Sequence, residues 1–357
     1  MRKPKILALF PFFAKGALSL IVLRAMRDRG FFVKVAFYED ASAVYPPDLM
    51  NDFVQNGCIL DLSQLSEPQR FSLVQSEIRQ HNFDVILQLG ATDLYHLLPY
   101  WKQESPSLRI VDTLYNEYGH TVNHFLYEQA IDGVIVESEY MRDFVERTSA
   151  KLRPNIKVLS NGIDLQTFMP AEEKKRERDL IVGYVGRMSA EKNPMGFIDL
   201  AEKVCDALPE VNFRMFGSGN QSELVRRRLE NSPAQTRITF EGFIDHTPTA
   251  LHQLDVLVLP SKFDGRPNII MEASACGVPV IAAPVGGVPE LIDEGCNGFL
   301  IQPTESDRVC VLLAKWAADS VALDSIKKTS REVALSKFNR TDMLDAYERA
   351  LIHFGSV

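Results

Sequence analysis

Two cations and two carboxylates in the second half of the chain could form a site for a phosphorylated ligand. Arg187 and Lys192 stand five positions apart in a run that we predict to be a loop entering a helix. An arginine fork and a compact lysine charge can reach one pair of phosphates, and a helix N-terminus adds partial positive charge. The alternative is an exposed loop whose basic side chains are solvated.

The two carboxylates are Asp264 and Glu272, with seven residues between them. Asp264 follows a predicted strand on a Gly/Pro loop, where it can accept hydrogen bonds from sugar hydroxyls. Glu272 falls on the next helix and can hold a ribose, while the free N–H groups of Asn268 and Ile269 suit an anion or a sugar oxygen. The alternative is a capping acid plus a surface glutamate, although an isolated charge on this apolar helix is costly to bury.

The elements that position these residues are strands of two parallel sheets, because short β-branched runs alternate with segments of helical period. In the first half we predict strands at Ile6–Phe10, Phe32–Tyr38, Asp84–Leu89, Leu108–Asp112, Gly133–Val136 and Ile156–Leu159. The second half repeats the pattern at Leu180–Val185, Asn212–Phe216, Arg237–Phe240, Val256–Leu259, Val278–Ala282 and Gly298–Ile301. Ligands of such sheets bind beyond the carboxyl ends of the strands, which is where the four charged residues fall.

The 357 residues suffice for two domains. Helices are predicted at Ala17–Arg29 and Glu139–Thr148, and the charge run Glu172–Asp179 has no apolar face and is typical of a linker. We therefore predict an N-terminal domain over 1–168, a second domain over 169–337, and a closing helical segment over 338–357.

Composition excludes some partners and compartments. A net charge of −8 argues against nucleic acid. No apolar run reaches the roughly 20 residues that span a bilayer, and the apolar start is short and broken by Pro11, so we expect a cytoplasmic protein. Early basic residues such as Arg2, Lys3 and Lys5 favour a solvated helix face, and they leave open a peripheral contact of the N-terminal domain with the inner membrane face.

The segment DGRPNIIMEASACGVPVIAAPVGGVPELI closely resembles the signature of family 4 retaining glycosyltransferases, and the resemblance covers nearly the whole chain. It extends to VGRMSAEKN, to SNGID at 160–164, and to the glycine-containing turns GSG at 217–219 and Gly242-Phe243. The resemblance implies an α/β fold of the GT-B architecture, in which two Rossmann-like domains have parallel sheets facing a central cleft. It also implies that the closing helical segment over 338–357 crosses back to the first domain.

The resemblance also assigns roles to residues. Glu272 would bind the donor ribose, Asp264 the transferred sugar, and Arg187 and Lys192 the departing diphosphate, so that neither a metal nor another cofactor is required. The remaining donor-binding residues that it implies are Gly16, Asn161, Gly186, Gly217, Gly219, Phe243, Pro267, Asn268 and Ile269.

Three departures from the family pattern concern both substrates. Asp264 replaces the usual glutamate, and Lys15-Gly16 stands where many members have Gly-Gly. Many members also have a histidine after the strand that we place at Leu108–Asp112. Its nearest equivalents here are Tyr115, Asn116 and His120, which we take as acceptor-side candidates, although His120 is also consistent with an ordinary loop residue and His124 with an incidental one.

The function implied by the resemblance is transfer of a hexose from a UDP- or GDP-linked sugar to a hydroxyl of a saccharide or glycolipid, with retention, in surface polysaccharide biosynthesis. Two alternatives keep the fold: a nucleotide-sugar epimerase that needs no acceptor, and a non-catalytic subunit that binds nucleotide sugars. A Rossmann dehydrogenase is disfavoured because no Gly-x-Gly-x-x-Gly follows the first strand.

Overall fold

A computed structural model describes residues 2–11, 18–38, 47–171, 179–302 and 304–356. They form two compact units, one of Met1–Ser160 with Thr341–Val357 and one of Asn161–Arg340. The sequence predicts the domain boundaries after residues 168 and 337 instead. The first and last segments of the second unit lie side by side, because Ile163 forms an isolated parallel bridge with Asn339. A Cβ on Gly162 would lie only 2.6 Å from the Asn339 carbonyl oxygen.

The first unit contains a parallel sheet of seven strands in the order β3-β2-β1-β4-β5-β6-β7. Its strands are β1 (Lys5–Leu9), β2 (Phe32–Phe37), β3 (Ile59–Asp61), β4 (Val85–Gln88), β5 (Arg109–Leu114), β6 (Gly133–Val136) and β7 (Ile156–Val158). Its helices are α1 (Leu18–Asp28), α2 (Pro47–Gln55), α3 (Glu67–His81), α4 (Leu98–Glu104), α5 (Thr121–Tyr127) and α6 (Glu139–Thr148).

Both faces of the first sheet are covered. Ile6 and Ala8 of β1 pack into one buried cluster, and Leu7 and Leu9 pack into another on the opposite face. This explains why the central strands are continuously apolar. The sequence missed β3, and it ended β5 two residues early at Asp112.

The second unit contains a six-stranded parallel sheet in the order β10-β9-β8-β11-β12-β13. Its strands are β8 (Leu180–Val185), β9 (Val211–Phe216), β10 (Ile238–Gly242), β11 (Val256–Leu259), β12 (Val280–Ala282) and β13 (Gly298–Leu300). Its helices are α7 (Pro194–Ala207), α8 (Ser222–Glu230), α9 (Thr247–Leu251), α10 (Asn268–Ala275), α11 (Ser306–Ala318) and α12 (Ser320–Lys337). The last helix, α13 (Arg340–Ser356), belongs to the first unit from Thr341 onward.

The strands predicted for the second half are all present, and the α/β fold prediction is confirmed. None of the described helices is both long and apolar enough to cross a membrane. Gly16 and nearly all of the predicted linker Glu172–Asp179 lie outside the described residues.

Candidate functional site

The loop after β8 carries Arg187 and Lys192 and is folded by its own hydrogen bonds. The Tyr184 hydroxyl donates to the Arg187 carbonyl over 2.8 Å, and the N–H of Lys192 donates to the Ser189 carbonyl over 3.1 Å. Asn193 then caps α7 by accepting a hydrogen bond from a backbone N–H. The two cations differ in their exposure to solvent. Of the Arg187 side chain 68% is exposed, but of the Lys192 side chain only 23%.

The glycines after β9 are explained by contact between two loops. A Cβ on Gly217 would lie 1.8 Å from the Gly186 carbonyl oxygen, and a Cβ on Gly219 would lie 2.4 Å from the Met188 carbonyl oxygen. Only glycine fits at either place, since backbone lies directly against backbone. The loop after β9 thus supports the loop that carries the cations.

A similar contact holds the loop after β11, which carries Asp264. A Cβ on Gly286 would lie 1.8 Å from the Asp264 carbonyl oxygen, and the N–H of Gly287 donates to the Gly265 carbonyl over 2.7 Å. The buried Arg266 guanidinium adds an ion pair with Glu290 at 3.7 Å. The backbone of Asp264 is therefore fixed by the Gly286–Gly287 turn.

Lys192 and Asp264 meet in a short ion pair. The Nζ of Lys192 lies 2.5 Å from Oδ2 of Asp264, and the Asp264 side chain is 9% exposed. The Ser261 hydroxyl donates to the same carboxylate oxygen over 3.4 Å. Lys192 and Asp264, which the sequence placed on separate loops, therefore touch in the structure.

Glu272 occupies the second turn of α10, among neighbours that are buried in the core. Burial raises the pKa of Glu272 to about 7, while the positive charge of Arg340 acts in the opposite direction. A carboxyl group with this pKa changes charge near neutral pH. The start of α10 adds unpaired backbone N–H groups and the Asn268 side-chain oxygen, which is buried without a hydrogen-bond partner among the described residues.

These groups surround a cavity of about 230 Å³ in the second unit. The predicted site residues that line it are Gly186, Lys192, Asp264, Pro267, Asn268, Ile269 and Glu272. Sequence reasoning missed Thr247 and Ser261, which also line the cavity. Ser261 closely follows β11 and Thr247 begins the helix after β10, so their positions beyond strand ends were the available signal.

Other predicted donor-binding residues lie outside the lining of this cavity. Arg187 extends into solvent and pairs with Glu191 at 3.6 Å. Phe243 follows β10 with 63% of its surface exposed. Asn161 is buried in the segment that packs near Asn339. Gly217 is half-buried and Gly219 is exposed, and each lies against the backbone of the loop after β8. Their contact with a donor stays a prediction.

The acceptor-side candidates lie in the first unit, beyond β5. The Tyr115 and Ser19 hydroxyls are 2.6 Å apart, and burial together with the charge of Glu137 raises the pKa of Tyr115. The Nε2 of His120 lies 2.8 Å from the Thr113 carbonyl oxygen. Since a carbonyl only accepts, Nε2 carries the proton, and the other ring nitrogen of a neutral His120 is an acceptor. Asn116 is exposed.

A buried polar network stands beneath these candidates. The Asp112 carboxylate accepts from the Tyr95 hydroxyl at 3.0 Å and lies 2.7 Å from Nδ1 of His124. All three residues are at most 2% exposed. His124, which the sequence left as incidental, is thus a structural partner of a buried carboxylate.

Comparison with known proteins identifies the second half most directly. Residues 166–333 match the family model of glycosyl transferases group 1. The chain is 32% identical over 154 residues to the Vi polysaccharide biosynthesis protein VipC/TviE of Salmonella typhi, covering 42% of this chain and 27% of that protein. It is 29% identical over 202 residues to the UDP-Gal:alpha-D-GlcNAc-diphosphoundecaprenol alpha-1,3-galactosyltransferase of Escherichia coli, covering 53% and 52%. The matches span about half or less of these relatives.

Solved structures extend the similarity of fold to both units. The Anabaena protein Alr3699/HepE, crystallised with UDP, superposes with a TM-score of 0.78 at 21% identity, over 98% of this chain and 100% of that one. The sequence prediction of the architecture is confirmed by this match. Residues 166–333 are thus similar to the glycosyl transferases group 1 family, and the chain has the GT-B fold.

Proposed function

We propose that the chain is a retaining hexosyltransferase that uses a UDP- or GDP-linked sugar as donor and a hydroxyl of a saccharide or glycolipid as acceptor. The observation that carries this proposal is the convergence of Lys192, Asp264, Glu272 and the start of α10 on one cavity. The family match supports it, as do the transferase activity in the name of the E. coli relative and the UDP complex of HepE.

Each charged group has a proposed role in the donor complex. Lys192, with Arg187 turning inward from its exposed position, stabilises the charge that develops on the departing diphosphate, so that we propose no metal. The Glu272 carboxylate accepts hydrogen bonds from the ribose, and Asp264 accepts one from the transferred hexose. The backbone N–H groups at the start of α10 bind sugar or phosphate oxygens.

The proposed reaction requires no nucleophile from the protein. The bond between the anomeric carbon and the diphosphate oxygen breaks as the acceptor oxygen bonds to the same carbon on the same face. The acceptor hydroxyl gives its proton to the leaving phosphate. The protein contributes position and positive charge, which are the effects that fixed cations supply well.

On the acceptor side we propose that Tyr115, Asn116 and His120 contact the acceptor. The unprotonated nitrogen of His120 can receive a hydrogen bond from a hydroxyl. The Vi polysaccharide relative favours a role in polysaccharide biosynthesis. We propose action in the cytoplasm, with a glycolipid acceptor met at the inner membrane face.

The first test is donor hydrolysis and sugar transfer by Lys192→Ala and Glu272→Ala. Loss of a leaving-group cation is expected to lower turnover by about 100-fold or more, and loss of the ribose acid to raise the KM for the donor. Matched controls are Lys203→Ala, on the solvent side of α7, and Glu332→Ala, exposed on α12. Wild-type turnover by Lys192→Ala at saturating donor, together with an unchanged donor KM for Glu272→Ala, would contradict the proposal.

Incubation with donor alone separates the alternatives. A change in sugar configuration without acceptor would identify an epimerase. Tight binding of donor without hydrolysis or transfer to any acceptor would identify a non-catalytic subunit.

A further inference from the structure

Both cations proposed to bind diphosphate are paired with carboxylates of the protein. Lys192 pairs with Asp264 on a neighbouring loop, and Arg187 pairs with Glu191 on its own loop. The phosphate oxygens of a donor therefore compete with these protein carboxylates for the two cations. The two pairs differ in how much this competition matters.

The Arg187–Glu191 pair is long, at 3.6 Å, and its side chains are 68% and 38% exposed. Water and salt screen such a pair, so it contributes little. The Lys192–Asp264 pair is 2.5 Å long, and its side chains are 23% and 9% exposed. A short pair that is mostly removed from water interacts more strongly, and a competing anion must overcome that interaction.

We propose that Asp264 holds Lys192 in the free protein and yields it to the donor diphosphate, which releases the carboxylate to bind the transferred sugar. This inference rests on the proposed function and adds an order of events to it. Sugar recognition by Asp264 becomes conditional on diphosphate binding. After transfer, Asp264 recaptures Lys192 and favours release of the nucleoside diphosphate.

The structure confines the exchange to side chains. The Asp264 backbone is fixed by its contact with Gly286, and the Lys192 N–H is bonded to the Ser189 carbonyl. Ser261, whose hydroxyl lies 3.4 Å from the paired carboxylate oxygen, remains as a partner when the lysine leaves. Rotation of the flexible Lys192 chain is therefore sufficient, with no movement of either loop.

The test is calorimetric binding of UDP, GDP and ADP to the wild type, Asp264→Asn and Glu191→Gln. These nucleotides have no hexose, so any contact of Asp264 with the sugar is absent from the measurement. We expect Asp264→Asn to bind the preferred nucleotide roughly 5-fold or more tightly than the wild type, since the competitor is gone. Glu191→Gln makes the same change of net charge beside the other cation and should shift the affinity by less than about 2-fold.

Weaker or unchanged nucleotide binding by Asp264→Asn overturns the inference, and so does an equal gain in both variants, because that reports net charge alone. Asp264→Ala provides a second variant if the asparagine protein melts below the wild type. No binding of any of the three nucleotides to the wild type contradicts the proposed function itself. With the intact donor, the gain should shrink or reverse, as the sugar contact is lost.

Discussion

The two sheets have similar topology, but the charged residues near the carboxyl ends of their strands have opposite roles. In the second unit, Lys192, Asp264 and Glu272 line one cavity. In the first unit, Asp112, His124 and Tyr95 satisfy one another inside the core. The comparison teaches that a charged residue near a strand end indicates binding only when its partners leave it accessible to a ligand.

Breaking the buried network of the first unit should lower the free energy of unfolding more than a substitution in the site of the second unit. His124→Ala leaves the Asp112 carboxylate without its imidazole partner in a site that water does not reach. We expect a loss of about 3–5 kcal/mol in the free energy of unfolding, measured by urea denaturation. Nucleotide affinity of the folded fraction should stay unchanged, because His124 lies in the other unit.

The matched control is His120→Ala, one helical turn away and only partly buried. It removes a hydrogen bond to the Thr113 carbonyl and is expected to cost about 1 kcal/mol. Equal losses for the two histidine variants would show that the Asp112 network is no more important than an ordinary hydrogen bond.

In the second unit, the backbone contact beneath Asp264 is the next most sensitive feature. Gly286→Ala places a Cβ 1.8 Å from the Asp264 carbonyl oxygen in a backbone with φ of +52°, so the loop must move. We expect a stability loss of about 2–4 kcal/mol together with weaker nucleotide binding. Thermal unfolding with and without nucleotide measures both.

Gly295→Ala is the control for this prediction. Gly295 has a φ of +76° but nothing within 4 Å of its added Cβ. Its substitution reports the backbone strain alone, about 1 kcal/mol, with no change in nucleotide affinity. If Gly295→Ala weakens nucleotide binding as much as Gly286→Ala does, the contact with Asp264 is not the cause.

The smallest effect concerns pH. Because the folded state raises the pKa of Glu272 from 4.5 to about 7, the folded protein binds this proton more tightly than the unfolded chain does. Stability from this group is present below about pH 4.5 and is lost as pH rises through 7. Glu272→Gln should therefore be more stable than the wild type at pH 8, by on the order of 2 kcal/mol, with no difference at pH 4.

Thermal unfolding across that pH range measures the effect, and the same variant should bind a nucleotide sugar less tightly. A constant stability difference at all pH values would show that Glu272 does not titrate as described. Glu332→Gln, on an exposed position of α12, is the control for the loss of a carboxylate.

The sequence predicted most of the fold because burial on both sheet faces produces continuous apolar strands such as Val256–Leu259. It missed Ile59–Asp61, since a three-residue edge strand has too few residues to show a period. It ended β5 at a charged residue, Asp112, because the burial of that carboxylate depends on Tyr95 and His124, which come from other elements.

The sequence could predict which residues lie at the candidate site, but not which of them pair with one another. Position after a strand is a local property, so Lys192 and Asp264 could be found by reading along the chain. Their ion pair depends on direct contacts between two loops, which no local pattern encodes. The Lys262 N–H donates to the Glu191 carbonyl over 2.8 Å, and the Asn193 side chain donates to the Pro260 carbonyl over 3.0 Å. The same limit explains why the contacts of Gly217 and Gly219 with the loop after β8 could not be predicted, while their contact with a donor stays a prediction.

The glycine contacts between loops also constrain how this site can evolve. Positions 217, 219 and 286 admit no side chain, because each lies against a neighbouring carbonyl. Under the proposed function, we therefore expect variation in donor choice to accumulate at other side chains that line the cavity, such as Thr247, Ser261 and Ile269. A library for altered donor selection belongs at those three positions, with the glycines left as they are.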